Sequence, residues 1–297
     1  MHHLQHYIHA LLSFSNINKS PYTILGISSR DIGKYKLSSI IEAVINMVVP
    51  EKNIMRIVKG TILRTNYGTL GASSSTLIHD EGKRILVDVG HYGTRLRLEE
   101  NLKNIGLSPG SIDYVILTHL NWDHCANIDL FEKSKIFLHK REWEGGNLFG
   151  KEDLATKTFK QMLEKMRLHI IDDDMFKVTE NVYTINTFGH TVGHISALVK
   201  AEKGSIIVSG DAIPYYRTIK KGYPDIIFYD KNEARKSVSR VMELKPITII
   251  PGHGPPFNEK GYIEKDEIEI RLVGDDGEDL VIKLNRVGEG VATGPIG

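Results

Sequence analysis

Sulfur ligands are almost missing from this chain: one cysteine, Cys125, occurs in 297 residues. That excludes an internal disulfide framework and a cysteine-based zinc finger. Charge of a prevailing sign is missing too. Lys and Arg number 38 against 37 Asp and Glu, so no global field draws the protein to nucleic acid or to an anionic membrane. Long apolar runs are also lacking. The longest apolar stretch, in KLSSIIEAVINMVVP (36–50), is interrupted by Ser38, Ser39, Glu42 and Asn46, and a bilayer span needs roughly 20 apolar residues. The opening MHHLQHYIHALLSF has neither a basic n-region nor a small-residue cleavage site, which argues against a secretory signal. The expectation is a cytoplasmic protein without a membrane span, supported weakly by the lone thiol.

What remains is an ordinary globular balance, 41% hydrophobic and 25% charged, with enough length for a large core. Thirteen histidines are more than the surface of such a chain requires, and their placement carries the argument.

Three parts are expected. Residues 1–54 form an extension with Ser/Asn-rich SFSNINKSP and one amphipathic helical segment bearing Leu37, Ile40, Ile41, Val44, Ile45 and Val48. His2, His3, His6 and His9 there read better as a loose terminus than as a metal site. Residues 55–264 form the main body. MRIVKGTIL, SSTLIHD, KRILVDVG, DYVILTH, KIFLHKREW, NVYTINTF, SALVKAEKGSIIVSGD and PITIIPGHG read as strands. TRLRLEENLKNIGLSPGSI and EDLATKTFKQMLEKMRLHI read as helices, and another helix is expected to begin near Asp123. The apolar stripe of helix 153–168, with Leu154, Phe159, Met162, Leu163 and Met166, suits either the core or a homodimer contact. Helices among groups of strands point to mixed sheets covered by helices. Residues 265–297 form a β-hairpin and tail: Ile268, Ile270 and Leu272 alternate, as do Leu280, Ile282 and Leu284, around an acidic glycine-containing turn. That turn lacks the calcium-loop pattern.

Four polar clusters each follow directly after an apolar strand. They are His119, Asn121, Asp123 and His124 after YVILT; His190 and His194 in GHTVGH; Asp211 in SGD; and His253 in PGHGPP. If those strands lie side by side and run the same way, their ends converge on one patch. On its own HxNxDH is as readily a helix N-cap beside a core histidine as a metal site. Four clusters in this order favour metal.

The order HxNxDH, GHTVGH, SGD and PGHG resembles the metallo-β-lactamase-fold hydrolases over residues 55–264. THLNWDHCANIDLF is especially similar to the lactonase and glyoxalase II-like branches, and PGHGPPF to the small stand-alone members. The resemblance implies an α/β fold, an αββα sandwich of two mixed sheets with metals at one edge. It implies one metal site from His119, the residue at 121 and His190. The other site would take Asp123, His124 and His253, with Asp211 bridging. The pattern has a second histidine where this chain has Asn121. An amide oxygen is a harder and weaker ligand than imidazole, so the first site is expected to hold metal less tightly than the second. His194 is expected to support rather than ligate, and Cys125 to face the helix interior.

The implied cofactor is zinc, one ion or two, with iron or manganese as alternatives. The implied activity is hydrolysis of a small ester-like carbonyl (a lactone, thioester or related acyl compound) by metal-activated hydroxide, with Asp123 or Asp211 orienting it and carrying its proton. Three alternatives stay open: a nucleic-acid phosphodiesterase of the same fold, a degenerate metal-binding member without turnover, and an oxidative mononuclear-iron variant. Balanced charge disfavours the first. Tyr215, Tyr216 and Arg217 are candidate contacts for a small-molecule substrate, although loop aromatics are more often packing residues.

Overall fold

The computed structural model describes residues 53–66, 68–145, 154–264, 266–273, 277 and 280–286. The histidine-rich start and the amphipathic segment 37–48 lie outside the described residues. Two sheets make up the body. The first has the order β1-β4-β5-β6-β7-β8, from β1 (Ile54–Val58), β4 (Ser75–Asp80), β5 (Lys83–Val87), β6 (Tyr114–Ile116), β7 (Lys135–His139) and β8 (Arg167–Ile171). Between β1 and β4 the chain forms a separate ribbon of β2 (Thr61–Thr65) and β3 (Gly68–Ala72). The second sheet has the order β15-β14-β13-β12-β11-β10-β9. Its strands are β9 (Met175–Lys177), β10 (Val182–Asn186), β11 (Ile195–Ala201), β12 (Gly204–Gly210), β13 (Thr248–Pro251), β14 (Phe257–Asn258) and β15 (Gly261–Tyr262).

Local chemistry accounts for the main elements. The β4–β5 hairpin turns on two residues, Glu81 (φ 49°) and Gly82 (φ 72°), and a two-residue loop that matches strand twist needs positive φ at both positions. From β5 to β8 all pairings are parallel, and the short central strands are nearly continuous apolar runs, as strands covered on both faces require. Each parallel step needs a crossover. Helix α1 (Arg95–Asn104) supplies the first, burying Leu98 and Leu102 one turn apart. The short α2 (Trp122–Cys125) lies in the second, and α3 (Lys140–Gly145) and α4 (Leu154–Leu163) in the third.

Successive strand residues point to opposite faces, and here both faces are buried. Leu77, Leu86, Val115, Leu117, Ile136 and Leu138 pack with Leu98 and Leu102 of α1 and with Phe159 and Leu163 of α4. Of that helix's stripe, Phe159 and Leu163 are thus in the core, with Met162 and Met166 packed against it. On the second sheet Ile185, Leu198, Ile207 and Ile249 pack with Val238 and Val241 of α6 (Lys231–Glu243), which follows the short α5 (Arg217–Lys221). The intervening residues Ile85, Val87, Ile116, Ala197, Val199, Ile206 and Val208 are buried too. Phe137 of β7 meets Phe176 of β9, ring centroids 5.8 Å apart, so the two sheets face one another with helices outside. The chain is an α/β sandwich of two mixed sheets.

Three expectations need correction. KIFLHKREW is not one strand: it ends at His139 and Lys140 opens α3. The helix expected over 152–170 ends at Leu163, and Arg167–Ile171 becomes β8, because parallel pairing with β7 over Lys135–His139 outweighs local helical periodicity. The strands that precede the polar clusters do not all lie side by side. β6 belongs to the first sheet and β10, β12 and β13 to the second, where antiparallel β11 separates β10 from β12. Convergence comes instead from the shared edge, where Ile195 N–H donates to Thr118 O (2.9 Å) and Ser74 N–H to Gly252 O (2.7 Å) across the sheets.

At the carboxyl end, β16 (Asp266–Leu272) and β17 (Leu280–Arg286) pair antiparallel, setting Ile268 opposite Leu284, Ile270 opposite Ile282 and Leu272 opposite Leu280. Among the described residues no helix is long and apolar enough to cross a membrane.

Candidate metal centre

Past the end of β6 the chain runs extended through Asn121 (φ −64°, ψ 137°) and then enters α2. Asn121 occupies the N-cap position, but its side chain makes no capping hydrogen bond, and Asp123 lies in the first turn. The capping explanation of these polar residues is thereby removed. His119 and His124 are fully buried and their rings are 4.1 Å apart. From the second sheet come His190, Asp211 at the end of β12, and His253 after β13, all buried.

Four imidazoles are each held by Nδ1. His124 Nδ1 lies 2.7 Å from Asp88 Oδ2, His190 Nδ1 2.9 Å from Ile226 O and His253 Nδ1 3.0 Å from Ala72 O. Thr118 Oγ1 donates to Asp88 Oδ2 (2.8 Å), and its oxygen faces His119 Nδ1 at 2.9 Å. Each ring is thus pinned by one nitrogen and presents Nε2 inward, as histidine ligands of metals are arranged.

Asp211 sits in the middle. Its Oδ1 is 3.2 Å from His253 Nε2 and 3.5 Å from His124 Nε2, and its Oδ2 is 3.5 Å from His190 Nε2. Asp123 Oδ2 lies 3.4 Å from His253 Nε2 and 3.8 Å from His124 Nε2. Gly252 makes room for this carboxylate: a Cβ there would fall 2.2 Å from Asp211 Oδ1. Two sets of ligand atoms gather within 4.8 Å of one another, His119/His124/Asp211 and Asp123/His124/His253. His119 Nε2, His124 Nε2, Asn121 Oδ1 and Asp211 Oδ1 are buried without a hydrogen-bond partner among the described residues. Orphaned buried polar atoms are rare and costly. Those on His119, His124 and Asp211 belong to one of the two ligand sets, and such a group of imidazole and carboxylate atoms fits a metal ion.

The electrostatics agree. Burial opposes charge on His124, yet Asp123, Asp88 and Asp211 override it and hold its pKa well above the usual histidine range. Burial likewise opposes charge on His253, and Asp211 with Asp123 raises its pKa. Asp211 would be pushed up by burial, but His253 and His124 hold it well below the usual carboxylate range. Burial, reinforced by neighbouring imidazoles, keeps His119 and His194 well below theirs. Such a field calls for positive charge beside the carboxylates, and a divalent cation meets that demand.

All seven residues singled out as ligands, His119, Asn121, Asp123, His124, His190, Asp211 and His253, lie in this cluster. His194 does not offer a free nitrogen: Nε2 accepts from Asp211 N–H (3.0 Å) and Nδ1 meets Thr187 Oγ1 (2.8 Å). Cys125 is buried in the helix-side core. The substrate candidates separate. Tyr215 lines a depression beside the cluster together with Ile62, His190, Asp211, Pro214, Asp225 and Ile226. Tyr216 does not: its ring packs instead on Phe257 (5.1 Å) and Tyr262 (5.2 Å), against the core of the second sheet. Arg217 is exposed, pairs with Asp225 and lies 4.8 Å over the Tyr215 ring.

Two further carboxylates, buried against these loops, are not among the residues singled out from the sequence. Asp88, at φ 57°, accepts from Thr118 N–H, Thr118 Oγ1 and His124 Nδ1. Its signal was available, since ILVDVG ends an apolar strand on an aspartate just as IIVSGD does. Glu142 of α3 accepts from Leu120 N–H (3.0 Å), Thr191 Oγ1 (2.7 Å) and Gly193 N–H (3.0 Å), joining the two histidine loops. Burial raises its carboxyl pKa despite these bonds.

Residues 68–253 match the family model described as the metallo-beta-lactamase superfamily. The chain belongs to that superfamily. It is 29% identical over 175 residues to metallo-beta-lactamase domain-containing protein 1 of Xenopus laevis, covering 58% of this chain and 67% of the relative. It is 30% identical over 162 residues to an N-acyl homoserine lactonase of a Bacillus species, covering 53% of this chain and 62% of the relative. Against a beta-lactamase-like protein 2 homolog of Caenorhabditis elegans the match spans 63% of the relative's length, so part of these proteins has no counterpart in the aligned segment. Among solved structures, a Bacillus thuringiensis AiiA variant with N-decanoyl-L-homoserine bound at its active site superposes with a TM-score of 0.56. That pair is 23% identical over 68% of this chain and 92% of the other, a likeness that bears on the fold.

Proposed function

We propose that this protein is a metal-dependent hydrolase of small ester-like carbonyl compounds, a lactone, a thioester or a related acyl compound. The observation that carries the reading is Asp211, buried with the Nε2 atoms of His124, His190 and His253 at 3.2–3.5 Å from its carboxylate oxygens. Asp123, His124, His253 and Asp211 would hold one ion, and His119, Asn121 and His190, sharing Asp211, a second. Imidazole and carboxylate donors suit zinc, with iron or manganese as alternatives. Bound there, the cation supplies Lewis acidity and water ionised near neutral pH.

The chain's own groups do the rest. Asp123 has the most open carboxylate of the cluster, its side chain 16% exposed, and would accept a proton from entering water and return it to a leaving group. Asp211 holds the imidazoles around a common point. Tyr215, Ile226 and Pro214 wall the depression next to His190 and Asp211 and would seat the acyl compound. The lactonase relative supports an ester-type carbonyl. Residues 55–264 are read as the catalytic body, 1–54 as an extension and 265–297 as an appended hairpin and tail, in a cytoplasmic enzyme.

The test is elemental analysis of the purified protein together with a panel of lactones, thioesters, β-lactams and phosphodiesters, run beside Asp211→Ala. Turnover of a carbonyl ester, lost in a folded Asp211→Ala protein, is expected. Cleavage confined to phosphodiesters moves the protein to nucleic-acid chemistry, and binding of metal with no turnover makes it a non-catalytic member.

A further inference from the structure

His190 is committed at one ring nitrogen. Its Nδ1 lies 2.9 Å from the carbonyl oxygen of Ile226, and a carbonyl can only accept, so Nδ1 carries a proton. Nε2 faces the centre. The nitrogen Nδ2 of Asn121 lies 3.1 Å from it, in hydrogen-bonding geometry, and Asp211 Oδ2 lies farther off at 3.5 Å. A neutral imidazole protonated at Nδ1 offers a lone pair at Nε2. The amide edge turned toward it must then be the N–H edge, since the opposite orientation would set two acceptors against each other. That orientation leaves Asn121 Oδ1 as a buried oxygen with no partner among the described residues.

We infer that Asn121 is a latch on half of the centre: its amide N–H occupies the His190 lone pair that a metal ion would need. The half made by Asp123, His124, Asp211 and His253 takes an ion without disturbing Asn121. The half that includes His119 and His190 takes one only after the amide gives up His190 and turns its oxygen inward. The protein therefore holds one ion tightly and a second weakly, and the weak one is set by an internal hydrogen bond as well as by a poor ligand. This rests on the metal-hydrolase reading.

Calorimetric titration of the metal-free protein with Zn2+, against a competing chelator, distinguishes the latch from a merely weak ligand. Asn121→Ala removes the latch together with a poor amide ligand, and since the broken His190 hydrogen bond outweighs what that ligand returns, the second equivalent is expected to tighten, by up to about tenfold, the net worth of one hydrogen bond. Asn121→His is expected to give two tight equivalents. An alanine variant whose second equivalent is unchanged or weaker overturns the latch, because the amide oxygen then returns as a ligand at least what the hydrogen bond to His190 costs. A second readout needs no metal. Nitrogen NMR of the metal-free protein should show a coupling across the hydrogen bond between the Asn121 amide and His190 Nε2, with the ring protonated at Nδ1 alone. A ring protonated at both nitrogens, or no coupling, sinks the proposal. Failure of all three proteins to bind zinc, with the coupling present, instead fells the metal-hydrolase reading and takes the latch's role with it.

Discussion

Asp88 shows how much of the candidate centre rests on a residue outside the proposed ligand set. Its two oxygens take three hydrogen bonds, from Thr118 N–H and Oγ1 and from His124 Nδ1. It thereby fixes the tautomer of His124 directly and that of His119 through the threonine. Replacing Asp88 by Asn keeps the shape but turns one acceptor into a donor facing a donor. Metal affinity should fall about 10- to 100-fold, the usual cost of losing such a carboxylate behind a histidine ligand. Competition titration with a chromophoric chelator measures this. Affinity unchanged in Asp88→Asn would mean that the histidines hold their orientation without it.

At the scale of elements the centre is a meeting of loops, and Glu142 is the strut between two of them. Leu120 belongs to the loop carrying His119 and Asn121, while Thr191 and Gly193 flank the turn between His190 and His194. Glu142→Gln must aim an amide N–H at either a backbone N–H or the Thr191–Gly193 pair. The expected loss is about 1–3 kcal/mol of folding stability, the cost of an unsatisfied buried donor, visible as a lower urea midpoint. An unmoved midpoint would show that the loops are held elsewhere. This residue also marks where sequence reading stops. The seven residues of the cluster were legible because each follows an apolar strand, a pattern confined to a few neighbouring positions. Glu142 stands in HKREWEGG and looks like any surface charge, and its partners are 22, 49 and 51 residues away. The β8 strand was hidden for a similar reason: Arg167–Ile171 continues the apolar rhythm of α4 and becomes a strand only because β7 is there to pair with it. Tyr216 failed in the opposite direction, since adjacency to Asp211 in sequence says nothing about which way a ring turns at the start of a helix.

Across the whole molecule, the edge strand β1, the His253 loop and the C-terminal hairpin are tied through one buried cation. Arg56 donates to both oxygens of Asp266 (3.0 and 2.9 Å) and to Gly254 O (3.3 Å), the residue after His253, and also pairs with Glu264. Both side chains of the Arg56–Asp266 pair are nearly inaccessible, at 4% and 3% exposure. Burial alone would raise the Asp266 carboxyl pKa, but the Arg56 guanidinium bonded to it holds it below the usual carboxylate range. A depressed native pKa means the unfolded chain binds the proton more readily. The pair's contribution is then complete above the unfolded value of about 3.9 and is lost as pH falls through the lower native value. Asp266→Asn should therefore cost stability at neutral pH, toward the lower end of about 3–5 kcal/mol because Glu264 still faces Arg56. It should also flatten the acid limb of the stability curve below pH of about 4. Denaturant unfolding from neutral pH down into that limb measures both effects. A variant that loses stability equally at every pH would show that Asp266 acts by packing, and that its charge does not hold the hairpin and the His253 loop to β1.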